Sequence, residues 1–552
     1  MSGPEDASPR NFASFFRATR IDADASWREI VLVGAAILAW YGVVYCVVWP
    51  LSAAPVGDSW VYEHAVAHFN RTGEIQFAGF TQALPVAQVL YGALWSRVFG
   101  ESSRALDLST AGLGIIGGIL LYYLGRRCGG NSGSSFVAAA LLVCNPCYLF
   151  LSFSFMTEVP FITTLLASYA AFAYSLAGSR KWLWLSGCAA VVGFAIRPFA
   201  VIAIAGQGAV LLMRGYKDGE KGLSRFVSIT PLILAIIASA GFWLWITMLT
   251  PEPWMLKYQM DRLRSGFWLV PLRTYLVRGV LAPAIYLGLV LSPLAAVHAI
   301  GRWRSSLVRS VIAIIAVTVR LSRRSVADLT AISCFGGSYS ALVLSGKPCT
   351  ELPKGLEWPM LGLGVIGFAG ICSAAWEAAR GGNRIVLALL FGSALYWLMM
   401  PCLWFFSDRY DLVIVPAASL VLALTRPPQW RASIATAAMI LALALVSAGG
   451  TASYHCSMQA VVNQTESLLR QGVPRRQLDA GYSLNGRDLY VYPANHEPEQ
   501  EPPIPLVIGS SRSPYLIALS RMPNTAIWRQ FSGCGPLGVG VRPLFVLKSE
   551  KR

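Results

Sequence analysis

The sequence predicts an all-α polytopic membrane protein with about 13 transmembrane helices, external juxtamembrane helices and a small extracytoplasmic C-terminal domain. Of the 552 residues, 55% are hydrophobic and only 13% are charged, and the mean hydropathy is +0.54. A soluble domain cannot bury that much apolar surface, whereas a bilayer accommodates it at roughly 20 apolar residues per helical crossing. The net charge of +17 falls mostly in short loops between apolar runs, which indicates membrane topology and argues against a nucleic-acid partner.

Apolar runs of suitable length follow one another along most of the chain. We expect the helices that cross the lipid bilayer at 29–51, 105–125, 135–155, 158–178, 182–197, 199–213, 226–249, 275–299, 326–346, 358–378, 385–406, 411–425 and 431–450. They divide the chain into a cytoplasmic tail at 1–28, a transmembrane domain at 29–450 and an extracytoplasmic domain at 451–552.

Basic residues give the predicted orientation. With the N-terminus inside, every loop predicted to be cytoplasmic carries at least two Lys or Arg residues, for example Arg126 and Arg127. An odd number of crossings then places the C-terminal domain outside. The Ala- and Arg-rich composition suggests a bacterial inner (cytoplasmic) membrane, with the active site and C-terminus facing the periplasm or exterior. The apolar stretch 311–319 is too short to cross, and we expect an interfacial helix there.

The first external loop, 52–104, is long and polar enough to carry chemistry. Its stretch 58–72 predicts a surface helix that presents Trp60 and His64 on one side and ends at Gly73. The apolar and aromatic stretch 84–99 predicts a second helix along the membrane face.

The C-terminal region changes in composition and becomes rich in Pro, Arg, Tyr and Asn. Short apolar runs at 505–508 and 544–547 predict strands of a small α/β or mostly β domain. Cys456 and Cys534 could pair if this region is extracytoplasmic. The sequence shows no internal repeat, which weighs against transporter folds built from repeats.

Two acidic residues stand at the predicted outer ends of helices. Asp58 follows the first span, and Glu158 begins the fourth, so the predicted topology puts both on one face at similar depth. Each has a structural alternative, because Asp58 could cap the surface helix and Glu158 could cap its own helix.

Basic residues are predicted on the same outer face. Arg197 lies at the end of the fifth span, and Arg409 and Tyr410 follow the eleventh. Lys257 and Arg262 lie in an external loop, where basic residues are disfavoured. Arginine in such a place commonly binds phosphate, although snorkelling to lipid headgroups is the alternative for the loop residues.

Acids and arginines at one membrane face suggest transfer of a sugar from a phosphate carrier. The basic side chains would stabilise the negative charge that develops on the departing phosphate. A carboxylate would take the proton of the attacking hydroxyl, and a single displacement would invert the anomeric centre.

Several motifs, in order, resemble those of bacterial family-39-like glycosyltransferases of the C-type membrane superfamily, which includes protein O-mannosyltransferases and lipid A aminoarabinose transferases. The matching stretches are Asp58-Ser-Trp, Phe69-Asn-Arg-Thr-Gly-Glu74, Val86-Ala-Gln88, Leu90-Tyr-Gly-Ala-Leu-Trp95, Ser154-Phe-Met-Thr-Glu-Val-Pro-Phe161, Phe406-Ser-Asp-Arg-Tyr410 and Ala480-Gly-Tyr-Ser-Leu-Asn-Gly486.

The resemblance implies an active site at the outer face and a polyprenyl-phosphate sugar donor. By position it makes Asp58 the catalytic base, Glu158 the second acid, where Asp is more usual, and Arg409 a ligand of the carrier phosphate. Ser59 stands where many relatives have a second acid, and residues 301–357 match poorly.

The functional hypothesis is therefore an inverting hexosyl- or pentosyltransferase that uses a polyprenyl-phosphate-linked sugar and an extracytoplasmic glycan, lipid or protein acceptor. Tyr410, Arg197, Lys257 and Arg262 are further donor-phosphate candidates. The substrate-binding candidates are Glu63, His64 and Gln88.

Other functions stay open on the sequence. Glu63, His64 and His68 could offer ligands along one helix to a divalent metal, but the sequence requires no cofactor. A transporter or flippase for a lipid-linked or small solute is the main alternative; it should carry ionisable residues near mid-bilayer. A non-catalytic assembly protein is a third.

Overall fold

The computed structural model describes residues 25–49, 51–217, 223–250, 253–269, 280–322, 344–345, 357–400, 408–425, 430–489, 513–535 and 539–550. Over these residues the protein is mostly helical, with one small sheet near the C-terminus, which confirms the predicted fold class.

The described residues form helices along most of the chain. They are α1 Trp27–Val48, α2 Ser59–Thr72, α3 Val86–Phe99, α4 Ser103–Arg127, α5 Ser132–Val143, α6 Pro146–Ser152, α7 Glu158–Ser175, α8 Arg180–Phe194, α9 Val201–Lys217, α10 Leu223–Leu249, α11 Trp254–Leu269, α12 Ala282–Val290, α13 Ser292–Gly301, α14 Ser306–Ser322, α15 Glu357–Arg380, α16 Arg384–Met399, α17 Val415–Leu424, α18 Trp430–Arg470 and α19 Tyr482–Leu489. Three short 3-10 helices lie at Pro198–Ala200, Asp408–Val413 and Arg475–Gln477.

Fewer helices than predicted are long enough to cross a bilayer by themselves. Among the described residues, 6 helices have the length and composition for a crossing, or up to 8 spans if each of two bent pairs counts as one. Segments predicted as crossings include the shorter helices α8, α16 and α17, with 15, 16 and 10 residues. Of the predicted span 326–346, the structure describes only residues 344 and 345. The number of about 13 crossings therefore stays a prediction.

The predicted span 135–155 is broken into α5 and α6, which meet at 66°. The cause is Pro146, because proline lacks an amide hydrogen and disfavours helical geometry in the residue before it. Asn145 stabilises the break, since its Oδ1 accepts from the backbone amides of Cys147 and Tyr148 at 3.0 and 3.1 Å. The chain leaves α6 into the turn that precedes Glu158.

The loop 52–104, predicted to be the first external loop, contains the two predicted helices, α2 and α3. Gly73 ends α2 in the left-handed region, φ 76°, and its amide donates to the carbonyl of Phe69. Helix α3 covers most of the predicted stretch 84–99. The two helices are confirmed, whereas the position of α3 along the membrane face stays a prediction, and Trp60 of α2 is fully buried instead of lying at the surface.

Helix α14 contains the stretch 311–319 that was expected to be interfacial. Its residues Val311, Ile312 and Ile315 pack against α15, with Leu361 and Ala369 among their contacts. A neighbouring helix thus covers part of its apolar face, and the position of α14 relative to the headgroups stays a prediction.

The C-terminal region combines the long helix α18 with a sheet of four strands, β1 Leu478–Asp479, β2 Tyr515–Ala518, β3 Thr525–Cys534 and β4 Val541–Ser549. The strand order is β1-β2-β4-β3, with β1 parallel to β2 and the other pairs antiparallel. Strand β4 confirms the predicted strand at 544–547, whereas 505–508 lies outside the described residues. The predicted domain boundary at 451 falls inside α18, which is continuous to Arg470.

A disulfide joins α18 to the sheet. Cys456 pairs with Cys534 of β3, and their Cα atoms are 5.8 Å apart. The hydroxyls of Ser453 and Ser457 donate to the carbonyls of Gly535 and Cys534 at 2.7 and 3.2 Å. The helix and the sheet are therefore held together covalently and by hydrogen bonds.

Replacing Cys456 and Cys534 by serine should destabilise the C-terminal sheet by up to about 4 kcal/mol, because the disulfide closes a long loop in the unfolded chain. The expected result is faster amide hydrogen exchange in β3 and β4. Cys188→Ser is the control, since Cys188 is a free and exposed cysteine. Unchanged exchange in the double variant would contradict this prediction.

Candidate active site

Asp58 lies in the turn that leads into α2. Gly57 makes this turn with φ 53°, a backbone conformation that glycine adopts without strain. The Asp58 side chain makes no capping bond to α2. Its Oδ2 instead accepts from Nη2 of Arg409 at 2.9 Å, and its Oδ1 accepts from the hydroxyl of Tyr482 at 2.9 Å. The structure therefore does not use Asp58 as a side-chain cap.

Glu158 is the first residue of α7, and its side chain is only 1% exposed. Its Oε1 accepts from Nη2 of Arg197 at 2.6 Å and lies 3.4 Å from Nε of Arg409. Its other oxygen, Oε2, has no hydrogen-bond partner among the described residues. A buried carboxylate needs such cations, because removal from water otherwise penalises its charge.

Arg197 connects α8 to the turn before α7. It follows α8 and precedes Pro198, which begins a 3-10 helix and sets the direction of the chain. Its Nε donates to the hydroxyl of Thr157 at 2.7 Å while Nη2 holds Glu158. Two adjacent residues thus fix the guanidinium.

Arg409 joins the two acids. It lies in the 3-10 helix Asp408–Val413, is 8% exposed at its side chain, and contacts both Asp58 and Glu158. Tyr410 lies beside it, with its ring centroid 5.5 Å from the guanidinium carbon of Arg409 and 5.9 Å from that of Arg197. The aromatic face adds favourable electrostatics to both cations.

The four charged side chains compensate one another. Two carboxylates, Asp58 and Glu158, face two guanidinium groups, Arg197 and Arg409, within one network of contacts between 2.6 and 3.4 Å. We call this the acid–arginine cluster. Its guanidinium groups have the donor geometry that phosphate binding requires, and its less buried carboxylate, Asp58, is 17% exposed.

An aromatic wall adjoins Asp58. Trp60 is fully buried, and its ring lies 6.0 Å from the rings of both Phe80 and Tyr482. Phe80 also packs on Trp254 of α11 at 4.9 Å. These edge-to-face contacts connect α2, the first external loop, α11 and α19.

Tyr482 is a functional candidate that the analysis of the sequence did not single out. It begins α19, which packs so closely on α2 that a Cβ added at Gly486 would overlap the ring of Trp60. Burial raises the pKa of the Tyr482 hydroxyl, and the neighbouring Asp58 carboxylate raises it further. Tyr482 therefore stays protonated and donates to Asp58. The sequence motif at 480–486 could have marked Tyr482 as a candidate, but it does not indicate which carboxylate the tyrosine hydroxyl contacts.

Glu63 and His64 lie on a different side of α2 from Asp58. Glu63 accepts from the hydroxyls of Ser59 and Ser103 at 3.1 and 2.6 Å, and burial raises the pKa of its carboxyl group. Nε2 of His64 lies 3.0 Å from the carbonyl of Arg487, and burial lowers the pKa of its ring. Both line a cavity of about 220 Å³ together with Ser103 and Arg487. The structure does not bring them into the acid–arginine cluster.

Three other predicted site residues are not part of the acid–arginine cluster as the structure describes it: Gln88, Lys257 and Arg262. Gln88 is buried, and its amide donates to the carbonyl of Phe155 at 3.0 Å, which supports the turn before Glu158. Lys257 is exposed on α11. The side chain of Arg262 lies outside the described residues. Their predicted roles in binding substrate or phosphate stay predictions.

A metal site would need converging ligands. Among the described side chains, no three His, Cys, Asp or Glu residues are grouped so that they could hold a metal ion. The ligand set considered at Glu63, His64 and His68 therefore does not form in this arrangement.

Comparison with known proteins supports the resemblance seen in the motifs. The sequence model of the dolichyl-phosphate-mannose-protein mannosyltransferase family matches residues 85–245, a range that contains Glu158 and Arg197. Within that range it confirms the predicted relatedness to protein O-mannosyltransferases. No curated protein sequence matches the chain.

Two solved structures are similar to this chain at a distance. ArnT from Cupriavidus metallidurans bound to undecaprenyl phosphate has a TM-score of 0.45 and 13% identity, over 81% of this chain and 73% of that one. The archaeal oligosaccharyltransferase AglB from Archaeoglobus fulgidus, in complex with an inhibitory peptide and a dolichol-phosphate, has a TM-score of 0.40 and 13% identity, over 86% and 61%. Similarities this distant carry no conclusion about function.

Replacing Arg197 by methionine should lower the free energy of unfolding by about 3 kcal/mol, because it removes the shortest ion-pair contact of the buried Glu158. Thermal unfolding in detergent measures the change. Adding Glu158→Gln to the same chain should restore much of the stability, since the buried charge is then removed.

The matched control is Arg264→Met. Arg264 pairs with Asp261 on α11, but the two side chains are 76% and 58% exposed, so the loss should be small. Equal losses of stability in Arg197→Met and Arg264→Met would contradict the prediction that the buried ion pair matters more than the exposed one.

Proposed function

We propose that this protein is an inverting glycosyltransferase that moves a sugar from a polyprenyl-phosphate donor to an acceptor outside the cytoplasm. The observation that supports it most is the position of Arg409 between Asp58 and Glu158, with Arg197 beside it. This combines a partly exposed carboxylate, suited to general-base catalysis, with two guanidinium groups suited to a phosphate leaving group. The family match adds a relative whose description names a dolichyl-phosphate-mannose donor.

Donor binding would rearrange the contacts of Arg409. Its guanidinium carries five N–H donors, and Nη2 donates to Asp58 at 2.9 Å. The donor phosphodiester, with one negative charge and two non-bridging oxygens, competes with Asp58 for these donors, and the negative charge that develops on the phosphate as the sugar departs strengthens its contact with the guanidinium. Arg409 would then hold the phosphate, while Glu158 and Arg197 keep the guanidinium in place.

Once Asp58 is released from Arg409, its carboxylate can act as the general base in sugar transfer. The acceptor hydroxyl oxygen bonds to the anomeric carbon as the bond from that carbon to the phosphate oxygen breaks. The electron pair leaves with the polyprenyl phosphate, whose charge Arg409 stabilises. The hydroxyl proton passes to Oδ2 of Asp58, which no longer pairs with Arg409. Attack from the face opposite the phosphate inverts the anomeric centre.

The disulfide supports an extracytoplasmic site. Disulfides persist in oxidising compartments and are rare in the cytosol. Next to Cys456 on α18, Nδ1 of His455 accepts from the backbone amide of Ser52 at 3.4 Å. Nearby on the same helix, Oε1 of Gln459 accepts from the amide of Ala53 at 3.0 Å. The disulfide and the turn that holds Asp58 therefore lie at the same end of the protein. In a bacterium this end would face the periplasm or exterior.

The position of the acids favours an enzyme over a transporter or flippase. Asp58 immediately precedes α2, and Glu158 is the first residue of α7, so both stand at helix starts. A transporter typically places ionisable residues near mid-bilayer in broken helices of repeated halves.

Asp58→Asn should reduce sugar transfer by about 10²–10⁴-fold, because the amide cannot accept the hydroxyl proton. Purified protein is added to membranes from cells that lack it, with polyprenyl-phosphate-linked radiolabelled mannose as the donor probe and lipid-linked sugars from the same cells as a second donor. Incorporation into glycans, lipids and proteins is measured by chromatography and mass spectrometry.

Asp261→Asn serves as the matched control, since this acid is exposed on α11 and pairs only with another exposed residue among its described ion pairs. It should transfer at the wild-type rate. Full transfer by the Asp58→Asn variant would refute the proposal, and flipping of a labelled lipid without transfer would favour the transporter.

Single cysteines test the sidedness of the site. In a background in which the exposed Cys46 and Cys188 are serine, cysteine at Glu101 should react with a membrane-impermeant maleimide in intact spheroplasts. Cysteine at Arg380 should react only after the membrane is permeabilised, because that end of α15 is predicted to be cytoplasmic. Protection of position 101 would place the site on the wrong side.

A further inference from the structure

Tyr482 joins the C-terminal region to the proposed base. It is the first residue of α19, and its hydroxyl donates to Oδ1 of Asp58 at 2.9 Å across a separation of 424 residues. Its ring packs against those of Trp60 and Phe80, at centroid distances of 6.0 and 6.3 Å. This contact uses the carboxylate oxygen that Arg409 does not.

We propose that Tyr482 is a positioning residue for sugar transfer: it holds Oδ1 of Asp58 while Arg409 is engaged by the donor phosphate, so that Oδ2 faces the acceptor hydroxyl. This inference rests on the proposed function. On this proposal the C-terminal region contributes a residue to the active site and is not a separate module.

The two partners of Asp58 have different fates during the reaction. The Arg409 contact breaks when phosphate takes the guanidinium, and a carboxylate released from it can rotate about its side-chain bonds. A base that rotates loses the alignment on which proton transfer depends. The Tyr482 contact persists, because a phosphate offers no donor that could replace the hydroxyl. Burial, together with the adjacent carboxylate, raises the pKa of Tyr482, so the hydroxyl keeps its proton.

The surroundings of α19 fix the hydroxyl in place. The hydroxyl of Ser483 donates to the carbonyl of Gly57 at 3.2 Å, and Nη1 of Arg487 donates to the carbonyl of Ala53 at 2.8 Å. Gly486 lies directly on the ring of Trp60. Helix α19 is therefore attached before and after Asp58 in the chain, which leaves the Tyr482 hydroxyl little freedom relative to the carboxylate.

A network inside the C-terminal region supports α19 from its other side. Oδ1 of Asn485 accepts from the backbone amide of Ala480 at 3.0 Å, and its amide nitrogen donates to Asp479 of β1 at 2.6 Å. Arg475 donates to Asp488 at 2.8 Å. The start of the helix is thereby linked to β1, which pairs with β2 of the sheet.

Tyr482→Phe tests the inference, since it removes the hydroxyl and keeps the ring that packs on Trp60 and Phe80. In the transfer assay with polyprenyl-phosphate mannose and acceptor membranes, kcat should fall about tenfold or more, as for loss of a hydrogen bond to a charged group. The KM for the donor and the affinity for undecaprenyl phosphate should stay within about twofold of wild type. Disruption of the fold would change these together with the thermal unfolding temperature.

Tyr515→Phe is the matched control, because it removes the same hydroxyl from a tyrosine of β2 in the C-terminal region, where the ring packs on Trp528. It should keep at least half of the wild-type kcat. An equal fall in kcat for both variants would assign the effect to general destabilisation of the C-terminal region and overturn the role of Tyr482. Wild-type kcat in Tyr482→Phe would overturn it as well.

The same assays distinguish failure of the proposed function from failure of the inference about Tyr482. If the wild-type protein transfers no sugar, or if Asp58→Asn transfers normally, the glycosyltransferase proposal is wrong and Tyr482 has no base to position. If the wild type transfers, Asp58→Asn does not and Tyr482→Phe behaves as wild type, only the inference about Tyr482 is wrong.

Discussion

Arg409 is the residue through which distant parts of the chain form one site. Its guanidinium contacts Asp58 at the start of α2 and Glu158 at the start of α7, while Arg197 from the end of α8 shares Glu158 with it. These residues come from four separate segments of a 552-residue chain. Charges removed from water are tolerated only when they are compensated, so each of these segments constrains the positions of the others.

In the proposed function, the same compensation prepares the cluster for an anionic ligand. Two acids balance two arginines, and on this proposal Glu158 keeps its cations while the more exposed Asp58 releases its own. A buried pair thus holds the arginines in position, and a less buried pair can exchange partners. Preorganised cations of this kind stabilise charge that develops on a leaving group without a large rearrangement during the reaction.

The C-terminal region acts on the same site from outside the helical bundle. Helix α18 carries the disulfide to β3, β1 leads into α19, and α19 presents Tyr482 to Asp58. Because Gly486 leaves no gap over Trp60, this small region is packed directly on the first external loop. The loop 52–104 and the C-terminal region therefore pack together beside the acid–arginine cluster, on the side predicted to be external.

Much of this architecture could be predicted from local patterns. Hydropathy indicated a helical membrane protein, residue spacing indicated α2, apolar and aromatic composition indicated α3, and Gly73 marked the end of α2. These features depend on neighbouring residues in the chain. Pro146 could have warned that the predicted span 135–155 would break, since proline acts on the helix that contains it.

The composition and order of residues determined that the chain is a helical membrane protein with acids and arginines at helix ends. Tertiary structure decided that Asp58 binds Arg409 instead of capping α2, that Glu63 and His64 turn away from the cluster, and that Tyr482 meets a carboxylate 424 residues earlier. The physical reason is range: burial and helical periodicity are local properties of a sequence, whereas pairing of charges and hydrogen-bonding groups depends on which distant segments packing brings within about 3 Å.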